Sequence, residues 1–234
     1  MAGIERPEAK DLIARAGAQI AGFKAVIDSE SAEREAVRIK AQALFDDRLK
    51  TALEAMEVEH LAKGKQGIRV SLLRDKGYTN MWQVSKLTYS QICGIEGLGQ
   101  QSATKILDIT KQTVENTKEN LRVRINPDYP TNADNELVKA LYVMIKNQPL
   151  RKECGRIFNA NYSDVNAEVT ALKKAKNGLS WLFASKSKKQ LAESSANSLS
   201  ERLQGDFGST ALIDAYKANN SADLGLCFGD SAGE

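Results

Sequence analysis

The chain has 234 residues, with 33 basic and 30 acidic side chains for a formal net charge of +3 at pH 7, and is 42% apolar and 27% charged. Those figures allow one large domain or two to three small ones with an ordinary polar surface. No apolar run approaches the ~18 residues of a spanning helix, which excludes a membrane span. Residues 1–8 lack an apolar signal region, so export is not expected and the cytoplasm is the simple assignment. Cys93, Cys154 and Cys227 are far apart and odd in number, which suggests neither a disulfide framework nor a zinc site. Four prolines and few β-branched runs predict an all-α chain.

Residues 1–66 read as a long N-terminal helical hairpin. The first helix starts near Pro7 and carries Ile13, Ile20, Phe23 and Ile27. The second follows a start signal at Ser29 or Ser31 and carries Val37, Ala41, Leu44, Phe45, Leu49, Ala52, Leu53 and Met56 at spacings of three, four and seven. Such a helix can reach ~30 residues, about 45 Å. An antiparallel pair or a coiled-coil partner surface suits this pattern.

From Gly67 the punctuation changes. Val70, Leu72 and Leu73 give a short helical face, with Gly77 as a left-handed C-terminal cap. Thr79 or Asn80 then caps a helix bearing Met81, Val84 and Leu87. Leu87, Ile92 and Ile95 mark a third short helix and the turn leaving it. Gly97-Leu98-Gly99 follows, and then Ala103, Ile106, Leu107, Thr110 and Val114 at helical spacing. Glycines can take positive φ and bring bare backbone close to a neighbour. The first-turn N–H groups of the next helix lack internal acceptors and favour an anion.

The run Ile95, Gly97-Leu98-Gly99, Ala103, Ile106 resembles the helix-hairpin-helix motif, a DNA-backbone binding element. The match is tight over about 15 residues, and residues 67–94 resemble the first, degenerate half of a paired domain of the type that ends the bacterial RNA polymerase α subunit. The resemblance implies a paired helix-hairpin-helix domain at 67–126. It further implies that backbone amides of Gly97, Leu98 and Gly99 hold a DNA phosphate, with side-chain contacts from Gln100, Gln101, Ser102 and Lys105. The first half has no Gly-x-Gly of its own, so only the second hairpin is expected to hold a phosphate. The pattern also fits a tight helix–helix turn without a ligand. Charge agrees with the DNA reading: residues 61–125 hold eleven basic and five acidic side chains. Phosphate neutralisation makes such binding salt-dependent and largely indifferent to sequence.

Arg122 to Pro130 breaks the helix after the hairpin, and residues 127–234 are expected to form a C-terminal helical domain with a flexible tail. Helices are predicted at 133–146, 150–160, 163–176, 186–204 and 209–218. Six lysines between residues 173 and 189, without an acidic residue, surround Trp181, Leu182 and Phe183. Such a run can track phosphates while rings stack on bases, or lie on a membrane surface, or be the solvated side of a helical core. Lys186, Lys188 and Lys189 are the auxiliary DNA candidates. The glycine-rich residues 221–234 read as a linker or a junction to a further part.

Nothing in the chain spells catalysis. It has one histidine, His60, no phosphate loop, and a Gly94-to-Gly99 run that follows a helix rather than a strand. No metal or other cofactor is expected. The expected function is a non-catalytic module that grips duplex or branched DNA, as an accessory or N-terminal part of a helicase- or nuclease-type machine. Its partners would be DNA and an enzymatic protein or fused domain, with oligomerisation open. The alternative is a helical scaffold that docks a partner through the long N-terminal helices; RNA binding shares the charge argument.

Overall fold

A computed structural model describes residues 6–63, 67–125, 127–175 and 184–222. They form α1 (Arg6–Ile27), α2 (Glu30–Glu54), α3 (Val70–Asp75), α4 (Met81–Ser85), α5 (Tyr89–Cys93), α6 (Gln100–Asn120), α7 (Asn132–Ala175), α8 (Lys186–Gln204) and α9 (Ala211–Ser221). Single 3-10 turns lie at Val58–Ala62 and Asp206–Gly208. Among the described residues there is no strand, only an isolated backbone bridge between Glu57 and Asn80. The protein is all-α, and its N-terminus is a pair of long helices joined at Asp28 and Ser29.

Two compact units divide the chain, one from residues 6–37 and 138–222, the other from 38–137. The first is built on α1. Its apolar positions recur at three and four residues, and Ala9, Leu12, Ala16, Phe23 and Val26 are buried. They share a core with Cys154, Ile157, Val165, Val169 and Leu172 of α7, and with Ala192, Ala196, Leu199 and Leu203 of α8. Phe207 and Ile213 close it, and the Phe23 and Phe207 rings lie 5.6 Å apart.

Helix α7 corrects the expected division into 133–146, 150–160 and 163–176. It runs unbroken for 44 residues with Pro149 inside it. Proline removes the N–H that the Ile145 carbonyl would receive. Polar side chains serve this stretch: Arg151 Nη2 donates to the Met144 carbonyl at 3.4 Å. The same guanidinium pairs with Glu33, whose carboxylate also accepts from Ser29 Oγ at 3.1 Å and Asn147 Nδ2 at 2.7 Å. Asn219 Nδ2 donates to Asn147 Oδ1 at 2.9 Å. A buried carboxylate is tolerable only when paired and hydrogen-bonded in this way.

The second unit gathers short helices around one core. Leu49 and Leu53 of α2 and Val58 and Leu61 of the 3-10 turn pack with Val70, Leu73, Met81, Val84, Leu87, Ile92, Ile95, Leu98, Ala103 and Ile106. Residues 38–61, before the expected hairpin domain, thus supply part of its core. The unit's two ends are held together by Arg48 Nη2–Asp134 Oδ2 at 2.6 Å and Lys40 Nζ–Glu136 Oε2 at 2.8 Å. Asp134 also accepts from the Thr131 N–H and hydroxyl, each at 2.8 Å, and donates its own N–H to Thr131 Oγ1 at 3.3 Å. This reciprocal pairing caps α7. Burial pushes the Asp134 carboxyl up, but the Thr131 donors and Arg48 outweigh it and hold it below the ordinary aspartate value.

Candidate nucleic-acid interface

Two helix–turn–helix pairs, α3–α4 and α5–α6, make up the middle of the second unit. Each turn contains a glycine with φ 87, Gly77 in the first and Gly97 in the second. The first turn satisfies itself. Tyr78 N–H donates to the Leu73 carbonyl at 3.0 Å and Gly77 N–H to Arg74 at 2.8 Å, the paired bonds that close a helix through a left-handed glycine. Asn80 Oδ1 accepts from Gln83 N–H at 3.0 Å, and Gln83 Oε1 accepts from Thr79 N–H at 2.7 Å. Helix α5 is closed in the same way by Thr88 and Gln91.

Helix α6 begins differently. Gly99 is its N-cap and offers no side-chain bond, and its first turn holds no acidic residue. The first internal bond spanning this end runs from Ala103 N–H to the Gly99 carbonyl at 3.0 Å. The N–H groups of Gln100, Gln101 and Ser102 therefore have no intrahelical acceptor. Gln100, Gln101 and Lys105 are exposed and Ser102 is half-buried. The structure thus places the expected residues together on one helix start.

The Gly-Leu-Gly residues differ from one another. Leu98 is buried at 3% exposure, and its N–H donates inside the turn to the Ile95 carbonyl at 3.0 Å. Its role here is to anchor the turn in the core, and its amide already has an acceptor. Gly97 needs to be glycine: a Cβ there would sit 2.9 Å from Leu72 Cδ1, and its φ of 87 is left-handed. Gly99 does not. Its φ of −87 and ψ of 177 are extended, and a Cβ there would meet nothing within 4 Å.

Neighbours that motif reading passes over complete the site. Glu96 is exposed in the turn and opposes an anion. Tyr89, 44% exposed at the start of α5, lies beside Cys93 and Thr104 of α6. Partial burial and then Cys93 push its phenol above the ordinary value. The Lys86 ammonium lies 3.8 Å from the centre of the Trp82 ring. Trp82 with Lys86 and Tyr89 with Cys93 stand four residues apart, a spacing that helical periodicity can show, whereas Tyr89 beside Thr104 depends on how α5 and α6 fold together.

Lys186, Lys188 and Lys189 are exposed on the first turn of α8, in the unit that does not contain the hairpins. Lys173 and Lys174 are exposed near the end of α7; Lys176, Trp181, Leu182 and Phe183 lie outside the described residues. His60 is half-buried, and burial followed by the Lys63 charge lowers its pKa below the ordinary histidine value. Among the described residues no group of three His, Cys, Asp or Glu side chains is placed to hold a metal ion. Among them, too, no helix is long and apolar enough to cross a membrane. No family model matches the chain, and neither a curated protein nor a solved structure matches it.

Proposed function

We propose that the two helix–turn–helix pairs form a helix-hairpin-helix domain that grips the phosphate backbone of DNA, and that the protein is a non-catalytic cytoplasmic accessory of a helicase- or nuclease-type machine. The observation that carries this reading is Gly99. Neither backbone conformation nor packing asks for glycine there, and Ser, Asp or Asn would cap α6 better. A bare backbone at an uncapped helix start leaves room for a phosphate oxygen to reach the N–H groups of Gly99 to Ser102. Gln100, Gln101 and Lys105 flank that position and add side-chain donors. The first turn and the start of α5 spend their donors on their own side chains, so the grip is one-sided.

The test is fluorescence anisotropy of the whole chain with duplex, single-stranded and branched DNA across a salt series. Sequence-independent binding that weakens steeply with salt supports the reading. Gly99→Val should keep the fold and remove the binding. Undiminished affinity in folded Gly99→Val would overturn the amide grip.

The scaffold reading drew on the apolar stripe of α2. In the structure Leu44, Leu49 and Leu53 of that stripe are buried, with Leu49 and Leu53 in the second unit's core. Internal packing accounts for those three positions, whereas Ala41 is exposed and Val37 half-buried.

A further inference from the structure

Between α6 and the next proline lies a segment whose arginines belong to the basic excess but which lies outside the turn and helix start that would hold the phosphate. Leu121 leaves α6 in extended conformation, with φ −70 and ψ 118. Residues 121–125 read Leu-Arg-Val-Arg-Ile and join no helix or strand. Among the described residues no backbone hydrogen bond engages residues 122–125, and no ion pair engages Arg122 or Arg124. Leu121 packs on the unit's core, while Val123 and Ile125 stand 37% and 36% exposed. Pro127, with no N–H, ends the stretch.

Alternation at period two is the pattern of a strand, with Arg122 and Arg124 on one face and Leu121, Val123 and Ile125 on the other. Five residues span ~17 Å, the length of an ordinary strand. Among the described residues there is no sheet for it to join within the chain. A second copy fits poorly: antiparallel pairing centred on Val123 would set Arg122 opposite Arg124 of the other molecule, and like charges facing one another destabilise a ladder. Nucleic acid would use the arginines but leave Val123 and Ile125 in water.

We propose that residues 121–125 are a docking strand, which adds to the exposed sheet edge of a protein partner whose edge strand alternates acidic and apolar residues. Main-chain hydrogen bonds would supply affinity, and the two faces would supply specificity. The acidic side chains would face Arg122 and Arg124, and the apolar ones Val123 and Ile125. This does not depend on the DNA reading and survives its failure.

The probe is a designed β-hairpin peptide whose outer strand reads Val-Glu-Val-Glu-Val, added to the whole isotope-labelled chain, with a Val-Lys-Val-Lys-Val hairpin as control. Amide signals of residues 122–125 should shift and exchange more slowly with the acidic hairpin alone. Val123→Pro, which deletes a central donor in an exposed connector, should abolish the effect. Arg122→Glu with Arg124→Glu leaves the backbone untouched; it should weaken acidic-hairpin binding about tenfold and favour the lysine hairpin. No change at those amides, an equal response to both hairpins, or a response to duplex DNA in place of the acidic hairpin would overturn the proposal.

Discussion

Gly77, Gly97 and Gly99 occupy similar turns and answer to different forces. Gly77 and Gly97 share a left-handed φ of 87, which costs an L-residue about 1–2 kcal/mol. A Cβ at Gly77 meets open space, whereas one at Gly97 meets Leu72. Gly77→Ala should therefore cost about 1 kcal/mol, and Gly97→Ala somewhat more, as measured by urea denaturation. Gly99→Val replaces a glycine N-cap with a poorer one and should lower stability by no more than about 1 kcal/mol, while DNA affinity disappears. That separation of stability from binding distinguishes a backbone-binding turn from a merely tight one. Glu96 gives an opposite sign: neutralising it in Glu96→Gln removes a repulsion, so affinity should rise roughly two- to fivefold at low salt and the gain should fade as salt is added. An unchanged affinity at low salt would place the phosphate away from this turn.

Helices carry the next level of explanation. The capping of α7 by Thr131 and Asp134, with Arg48 on the same carboxylate, joins a helix start to an ion pair. Asp134→Ala should destabilise by about 2–4 kcal/mol, since it removes a cap and strands Arg48. Because the carboxyl of Asp134 is held below its ordinary value, its contribution is present above the usual aspartate range and is lost as pH falls through the lowered value. Denaturation at pH 7 and pH 3 should show a steeper acid loss in the parent than in Asp134→Asn. Much at this scale was legible in the sequence. The Gly77 cap, the Asn80 start and the residues 186–204 of α8 follow from local chemistry, and local chemistry is written in neighbouring residues. Pro149 was not legible, because the residues that accommodate it include Arg151, whose partner Glu33 is far away in the chain. The site was half legible: the pattern marks where Gly97 and Gly99 lie, but not that only Gly97 is required by the fold. Leu98 could not be assigned from its neighbours either, since its amide and side chain are both settled by the turn's geometry.

At the scale of the whole molecule, the first unit is made from both ends of the described chain and the second from a continuous stretch between them. Arg48–Asp134 and Lys40–Glu136 hold the ends of that stretch together, as an independent module requires. A fragment of residues 38–137 should therefore fold by itself, seen as a cooperative thermal transition and a monomer by light scattering. A fragment of residues 1–137 should aggregate, because the partners of α1 in α7, α8 and α9 are missing. The same topology sets an order of events at the ribosome. Leu12, Phe23 and Val26 of α1 emerge early, yet the first α7 residues of their core, Leu150 and Cys154, follow only on the order of ten seconds later at ordinary synthesis rates. Through that interval the hairpin unit can complete itself while α1 stays uncovered. A nascent-chain chaperone would find its foothold on α1, and the last helices to be made would displace it.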